Sequence, residues 1–125
     1  MIKGVSQIIV AVDDQERAKE FWTSQIGFEV RTDAPYGEGG RWIELQPPDG
    51  PLLVLGKRRP GESPPEVPDE LPHSPVFFTC ENIQETHREL SERGVAFPTP
   101  PTKMDFGWWA LFEDDEGNRY AIGQE

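Results

Sequence analysis

An α+β fold of two βαβββ modules, their curved mixed sheets arranged around a cleft, is predicted by three observations on this 125-residue chain. Strand and helix signals run in the same order twice. Trp42 and Trp109, Gly50 and Gly117, Gly56 and Gly123, and Gly27 and Gly94 are each 67 positions apart. The recurring glycines fall at turns and helix ends, where a positive φ is most easily met, and a fixed internal period is a strong topological signal.

The first module spans 1–56. Val5 to Val12 is rich in β-branched residues and reads as a strand. Asp13 is placed to cap a helix, with Glu16 three residues on as in a capping box. Ala18, Phe21, Trp22 and Ile26 then recur at the spacing of one apolar helical face, and Gly27 ends it. Phe28-Glu29-Val30 begins a second strand, Arg41 to Gln46 forms a third, Pro47-Pro48-Asp49-Gly50 turns, and Leu52 to Leu55 forms a fourth. The second module, 75–125, repeats the order: a strand from Pro75 to Cys80, a capping box at Asn82 to Glu85, and a helix with Ile83, His87 and Leu90 on one face. Gly94 caps it, Val95-Ala96-Phe97 opens the next strand, Phe106 to Phe112 forms another, Asp114 to Gly117 turns, and Arg119 to Ile122 is the last. His87, mid-helix, reads as a packing residue.

The connector, 57–74, holds Pro60, Pro64, Pro65, Pro68 and Pro72 and is expected to be ordered but irregular. Its Lys57-Arg58-Arg59 patch reads as a solvated hinge, with a ligand phosphate contact as the alternative.

Composition bounds the function. The size suits one domain with a real core. The net charge of −11 disfavours nucleic acid and acidic membrane surfaces; solubility accounts for it, and a cationic ligand would be favoured at long range. No apolar run approaches a membrane span, and the N-terminus lacks the pattern of a signal peptide, so a cytoplasmic location is expected. The single cysteine, Cys80, excludes an intrachain disulfide. It lies in an apolar run and reads as a buried, inert thiol.

Four segments carry a family resemblance: Val5 to Asp14, the helix end from Phe21-Trp22 through Ile26-Gly27-Phe28, Glu89 to Val95, and Phe112 to Arg119. In this order, and duplicated, they cover nearly the whole chain. The sequence resembles the vicinal oxygen chelate superfamily, which contains glyoxalases, bleomycin-resistance proteins and dioxygenases. The resemblance implies a divalent metal held from the first and last strand of each module, by His or Gln, then Glu, His and Glu. The corresponding positions are Gln7, Val54, Pro75 and Ala121. Gln7 alone has a donor atom to offer, whereas a catalytic metal needs about three protein ligands. The chain has two histidines; a small shift of alignment would bring His73 to a metal with Glu44.

The superfamily's metal-free members, of which the bleomycin-resistance proteins are the best known, bind a drug in the cleft as homodimers. The resemblance to these implies a homodimer that sequesters a small organic ligand, with no cofactor. The expected ligand residues are Gln7, Trp42, Glu44, Val54, Phe106, Trp108 and Trp109. Indole faces stack on flat molecules and attract cations. Strand neighbours face opposite ways, so one of Trp108 and Trp109 points into the cleft, and the repeat places Trp109 on the same face as Trp42. Core packing is the alternative for any one tryptophan. Glu44, two residues beyond Trp42, could pair a cationic group or act as a base; Gln7 could bond a ligand carbonyl or hydroxyl. Two other readings remain. One is a metal-dependent lyase, isomerase or dioxygenase of the same superfamily; the other is a non-catalytic accessory domain with a protein partner.

Overall fold

Local alternation and capping chemistry generate two four-stranded sheets, each backed by a helix. The computed structural model describes residues 1–68 and 74–124. The chain divides into two compact units, Met1–Ser63 and Pro64 onward.

The first unit contains β1 (Gln7–Val12), α1 (Gln15–Glu20), β2 (Glu29–Pro35), β3 (Arg41–Gln46) and β4 (Leu52–Lys57). Its sheet runs β1-β4-β3-β2. β1 is parallel to β4, and the other pairs are antiparallel. Val10, Val12, Ile43, Leu45, Leu53 and Leu55 are buried on one face. Arg41 shares that face by alternation and reaches Glu16 of α1 at 2.8 Å, so this is the face beneath the helix, where Ala18, Phe21 and Trp22 are also buried.

Three expectations for this unit are corrected. The cap of α1 is Asp14, which accepts from the Arg17 N–H at 3.0 Å; Asp13 instead pairs with Arg58 at 3.0 Å. The helix does not continue evenly to Gly27. Phe21–Gln25 is a π-helical turn, closed by Ile26 and Gly27 donating to the carbonyls of Phe21 and Trp22. The Thr23 hydroxyl back-bonds to the Lys19 carbonyl at 2.8 Å, a contact that bends helices. Arg58 is no solvated hinge: its side chain is 7% exposed, and it donates to the Ala11 carbonyl besides pairing with Asp13.

Gln15 ties α1 to the sheet. Its amide nitrogen donates to the carbonyls of Arg41 (2.6 Å) and Leu55 (2.8 Å), and its oxygen accepts from the Arg41 N–H (3.0 Å). A leucine there would strand these groups in a buried setting. Gln15→Leu is expected to lower stability by about 2–4 kcal/mol in urea denaturation, because each unsatisfied buried group costs about 1–3 kcal/mol.

The second unit contains β5 (Phe77–Cys80), α2 (Ile83–Glu92), β6 (Ala96–Met104), β7 (Gly107–Glu113) and β8 (Arg119–Gln124). The sheet runs β5-β8-β7-β6, with β5 parallel to β8, the counterpart of β1 on β4. Asn82 caps α2 by accepting from the Glu85 N–H at 3.1 Å. Between helix and sheet lies an aromatic layer in which Phe112 packs against Phe78, Phe97 and Tyr120. His87 meets Phe97 edge-on at 4.6 Å, the packing role expected of it. Cys80, half-buried rather than buried, has its Sγ 3.5 Å from the Gly123 carbonyl.

The duplicated glycines serve two purposes. Gly27 and Gly94, and Gly50 and Gly117, adopt φ of 98°, 91°, 88° and 81°. Gly56 and Gly123 do not take positive φ. They admit a close neighbour instead: an added Cβ would lie 3.2 Å from Ile9 Cγ2 at Gly56, and 2.8 Å from Phe77 Cε1 at Gly123.

Candidate functional site

The face of each sheet turned away from its helix carries most of the expected ligand residues. In the first unit, register sets Ile9 beside Val54 and Val54 beside Glu44. Gln7, Trp42 and Glu44 share this face by alternation. Gln7 is half-buried at the start of β1, paired in register with Leu52. Val54 is completely buried.

Trp42 and Glu44 form one unit. The Trp42 indole N–H donates to Glu44 Oε2 at 3.1 Å, and Tyr36 packs against the Trp42 ring at 5.4 Å. Hydrogen bonds from Trp42, then Thr32, with the nearby Arg31 charge, hold the Glu44 carboxyl below its ordinary pKa. Glu44 is therefore ionised and a weaker base than a free glutamate. That suits attraction of a donor or cationic group better than proton abstraction.

In the second unit, Trp109 lies opposite Thr102 and Gly123, and Leu111 opposite Thr99 and Ala121. Trp109, Leu111 and Ala121 form a buried cluster against which Val67 and Met104 pack. The segment from Pro64 to Val67 thus reaches this face, where Arg119 Nη1 donates to the Val67 carbonyl at 3.3 Å. Trp108 lies on the opposite face of β7, the side of Phe112 and the helix, and is half-buried. So Trp109 is the residue turned from the helix, as is Trp42 in its own sheet. Phe106, expected on a strand, instead sits in the turn between β6 and β7 and is 60% exposed.

The two tryptophans differ in one respect. Trp109 is 1% exposed, and its Nε1 has no hydrogen-bond partner among the described residues. An unsatisfied buried donor costs about 1–3 kcal/mol. The position two beyond Trp42 is Glu44; two beyond Trp109 is Leu111, which cannot accept. The repeat makes this asymmetry legible in the sequence once the two tryptophans are aligned.

The residues at the metal positions do not fit a divalent cation. Val54 and Ala121 offer hydrocarbon only. The Ala121 N–H donates to Ser74 Oγ at 2.9 Å, and that hydroxyl in turn bonds the Val76 carbonyl, so the ground around Pro75 is occupied by strand-end hydrogen bonding. The described residues contain no group of three or more His, Cys, Asp or Glu able to hold a metal ion. The expected alternative pairing of Glu44 with His73 involves a residue outside those described.

A separate cavity of about 290 Å³ opens in the second unit between Pro64–Val67 and Glu116–Arg119. None of the expected ligand residues lines it. Beside it, Asp114 organises the β7–β8 turn by accepting from the N–H groups of Glu116 and Asn118, each at 2.9 Å. Burial raises its pKa, against the pull of the Asn118 bonds.

Tandem βαβββ units, each backed by one helix and carrying a tryptophan on the opposite face, define an α+β protein of the vicinal oxygen chelate type. The chain belongs to the glyoxalase/bleomycin resistance protein/dioxygenase superfamily, whose family model matches residues 4–122. The uncharacterised protein YetH of Bacillus subtilis (strain 168) is 32% identical over 124 residues, covering 98% of each chain. Among solved structures, UcmS2 is 34% identical with a TM-score of 0.81 and full coverage of both chains. TnmS3, an antibiotic binding protein from Streptomyces sp. CB03234, is 31% identical with a TM-score of 0.80, covering 98% of this chain and 96% of its own.

Proposed function

We propose that this protein binds and sequesters a small aromatic organic molecule of the antibiotic type without a metal ion, and that it does so as a cytoplasmic homodimer. The observation that carries the reading is the exchange at the ligand-bearing strands. Where the superfamily's enzymes place metal donors, this chain has Val54, Pro75 and Ala121, while the half-buried Trp42 and the buried Trp109 lie on the same sheet faces. Organic ligands are bound by largely apolar surface with a few placed polar groups; Gln7, Glu44 and the Trp109 N–H are such groups. The likeness to TnmS3 supports an antibiotic as the ligand class. Among the described residues no helix is long and apolar enough to cross a membrane.

Calorimetric titration of chelator-treated protein against a panel of aromatic antibiotics and uncharged polycyclic molecules tests the reading. Binding of at least one member is expected, weakened about tenfold in Trp42→Ala through loss of ring stacking. No binding across the panel overturns it.

A further inference from the structure

The buried donor on Trp109 points to the chemistry of the ligand. Its internal counterpart, Trp42, shows what this indole does when an acceptor is present: it bonds Glu44 at 3.1 Å. At Trp109 that acceptor is replaced by Leu111, and the neighbours Ala121, Met104 and Val67 are apolar. Thr102, its register partner, turns its hydroxyl to the Pro100 carbonyl at 2.8 Å. A resident water is a poor substitute, since a buried water needs two to four polar partners and the cluster around the indole is apolar among the described residues. A charged acceptor is equally unsuited, because an anion here would lose its hydration without compensation.

We propose that Trp109 Nε1 orients the ligand by donating to an uncharged oxygen, a carbonyl in the simplest case, on an otherwise apolar aromatic molecule. The assignment rests on the ligand-binding function proposed above. Val67 packs against the Trp109 cluster and is held through its carbonyl by Arg119, so the assignment requires Pro64–Val67 to shift for the ligand to reach the indole. Trp109 is thus a specificity-determining residue, selecting aromatic ketones over the matching hydrocarbons.

The test uses fluorenone and fluorene, the same tricycle with and without a carbonyl. Calorimetry on the full chain is expected to show fluorenone binding about five- to tenfold more tightly, the value of one neutral hydrogen bond, with the preference abolished in Trp109→Phe and retained in Trp108→Phe. Proton–nitrogen correlation NMR of the unmutated protein provides a second readout that does not depend on a variant folding. The Trp109 indole N–H resonance should move downfield with fluorenone and not with fluorene. Equal affinities and an unmoved indole resonance would overturn the assignment while leaving the binding function standing. Failure of both tricycles and of the antibiotic panel would overturn the binding function, and this assignment with it.

Discussion

Val54→Glu, which writes the superfamily's second metal donor back into this chain, is expected to destabilise the fold by about 3–5 kcal/mol, the scale of an uncompensated buried charge. Val54 is completely buried, and its register neighbours are Ile9 and Glu44. The new carboxylate would lose its hydration and face a second carboxylate across the strand pair, where directly opposed like charges repel. Both effects raise its folded pKa above the unfolded value of about 4.3. The folded state then binds the proton more tightly, so the loss should be smallest below about pH 4 and grow as pH rises. Urea denaturation at several pH values checks this. Added zinc or manganese should restore little, because Ala121 and Pro75 contribute no donor and the Glu44 carboxylate is already engaged by the Trp42 N–H. A variant as stable as the parent, or one strongly stabilised by metal, would show that this ground is a dormant metal site.

Trp22→Ala is expected to cost about 3–5 kcal/mol, at the upper range for large-to-small core changes. Trp22 is completely buried in the π-helical turn after α1. Phe21 meets it edge-on at 5.4 Å and Phe28 stacks on it at 5.8 Å. Truncation removes both aromatic contacts and opens a void beneath the helix of the first unit. Thermal and urea unfolding should agree on the loss. A change below about 1 kcal/mol would mean that the site collapses around the smaller side chain.

Much of the architecture was legible because the repeat constrains it twice. β3 was expected at Arg41–Gln46 and occurs there; α2 follows its Asn82 cap. What escaped depends on tertiary partners that local patterns do not encode. Asp13 and Asp14 are equally good caps by residue type, and the choice falls to Asp14 because Asp13 is engaged by Arg58. The π-turn interrupts a regular 3.6-residue pattern without altering it. Gly56 and Gly123 were expected to need positive φ, yet they are conformationally ordinary and exist to make room for Ile9 and Phe77. Phe106 follows apolar spacing but falls in the β6–β7 turn, beside the positive-φ Gly107.

The candidate site was readable as residue types but not as interactions. Donor-free side chains at Val54 and Ala121 are plain from sequence, as is the shared parity of Trp42 and Glu44. The hydrogen bond that fixes Glu44 as an ionised acceptor cannot be seen before its sheet is in place, and although the repeat hints at the missing acceptor near Trp109, the burial of that indole N–H emerges only with the fold. The packing of Val67 against the Trp109 cluster was likewise hidden within a proline-rich connector whose composition indicates irregularity and nothing more.

The most direct measurement is the dissociation constant of fluorenone determined in parallel with excess chelator and with added zinc, manganese or iron(II). If apolar surface and the Trp109 donor hold the ligand, the constant is the same in every condition. Binding that vanishes with chelator and returns with a divalent ion would contradict the account at its root.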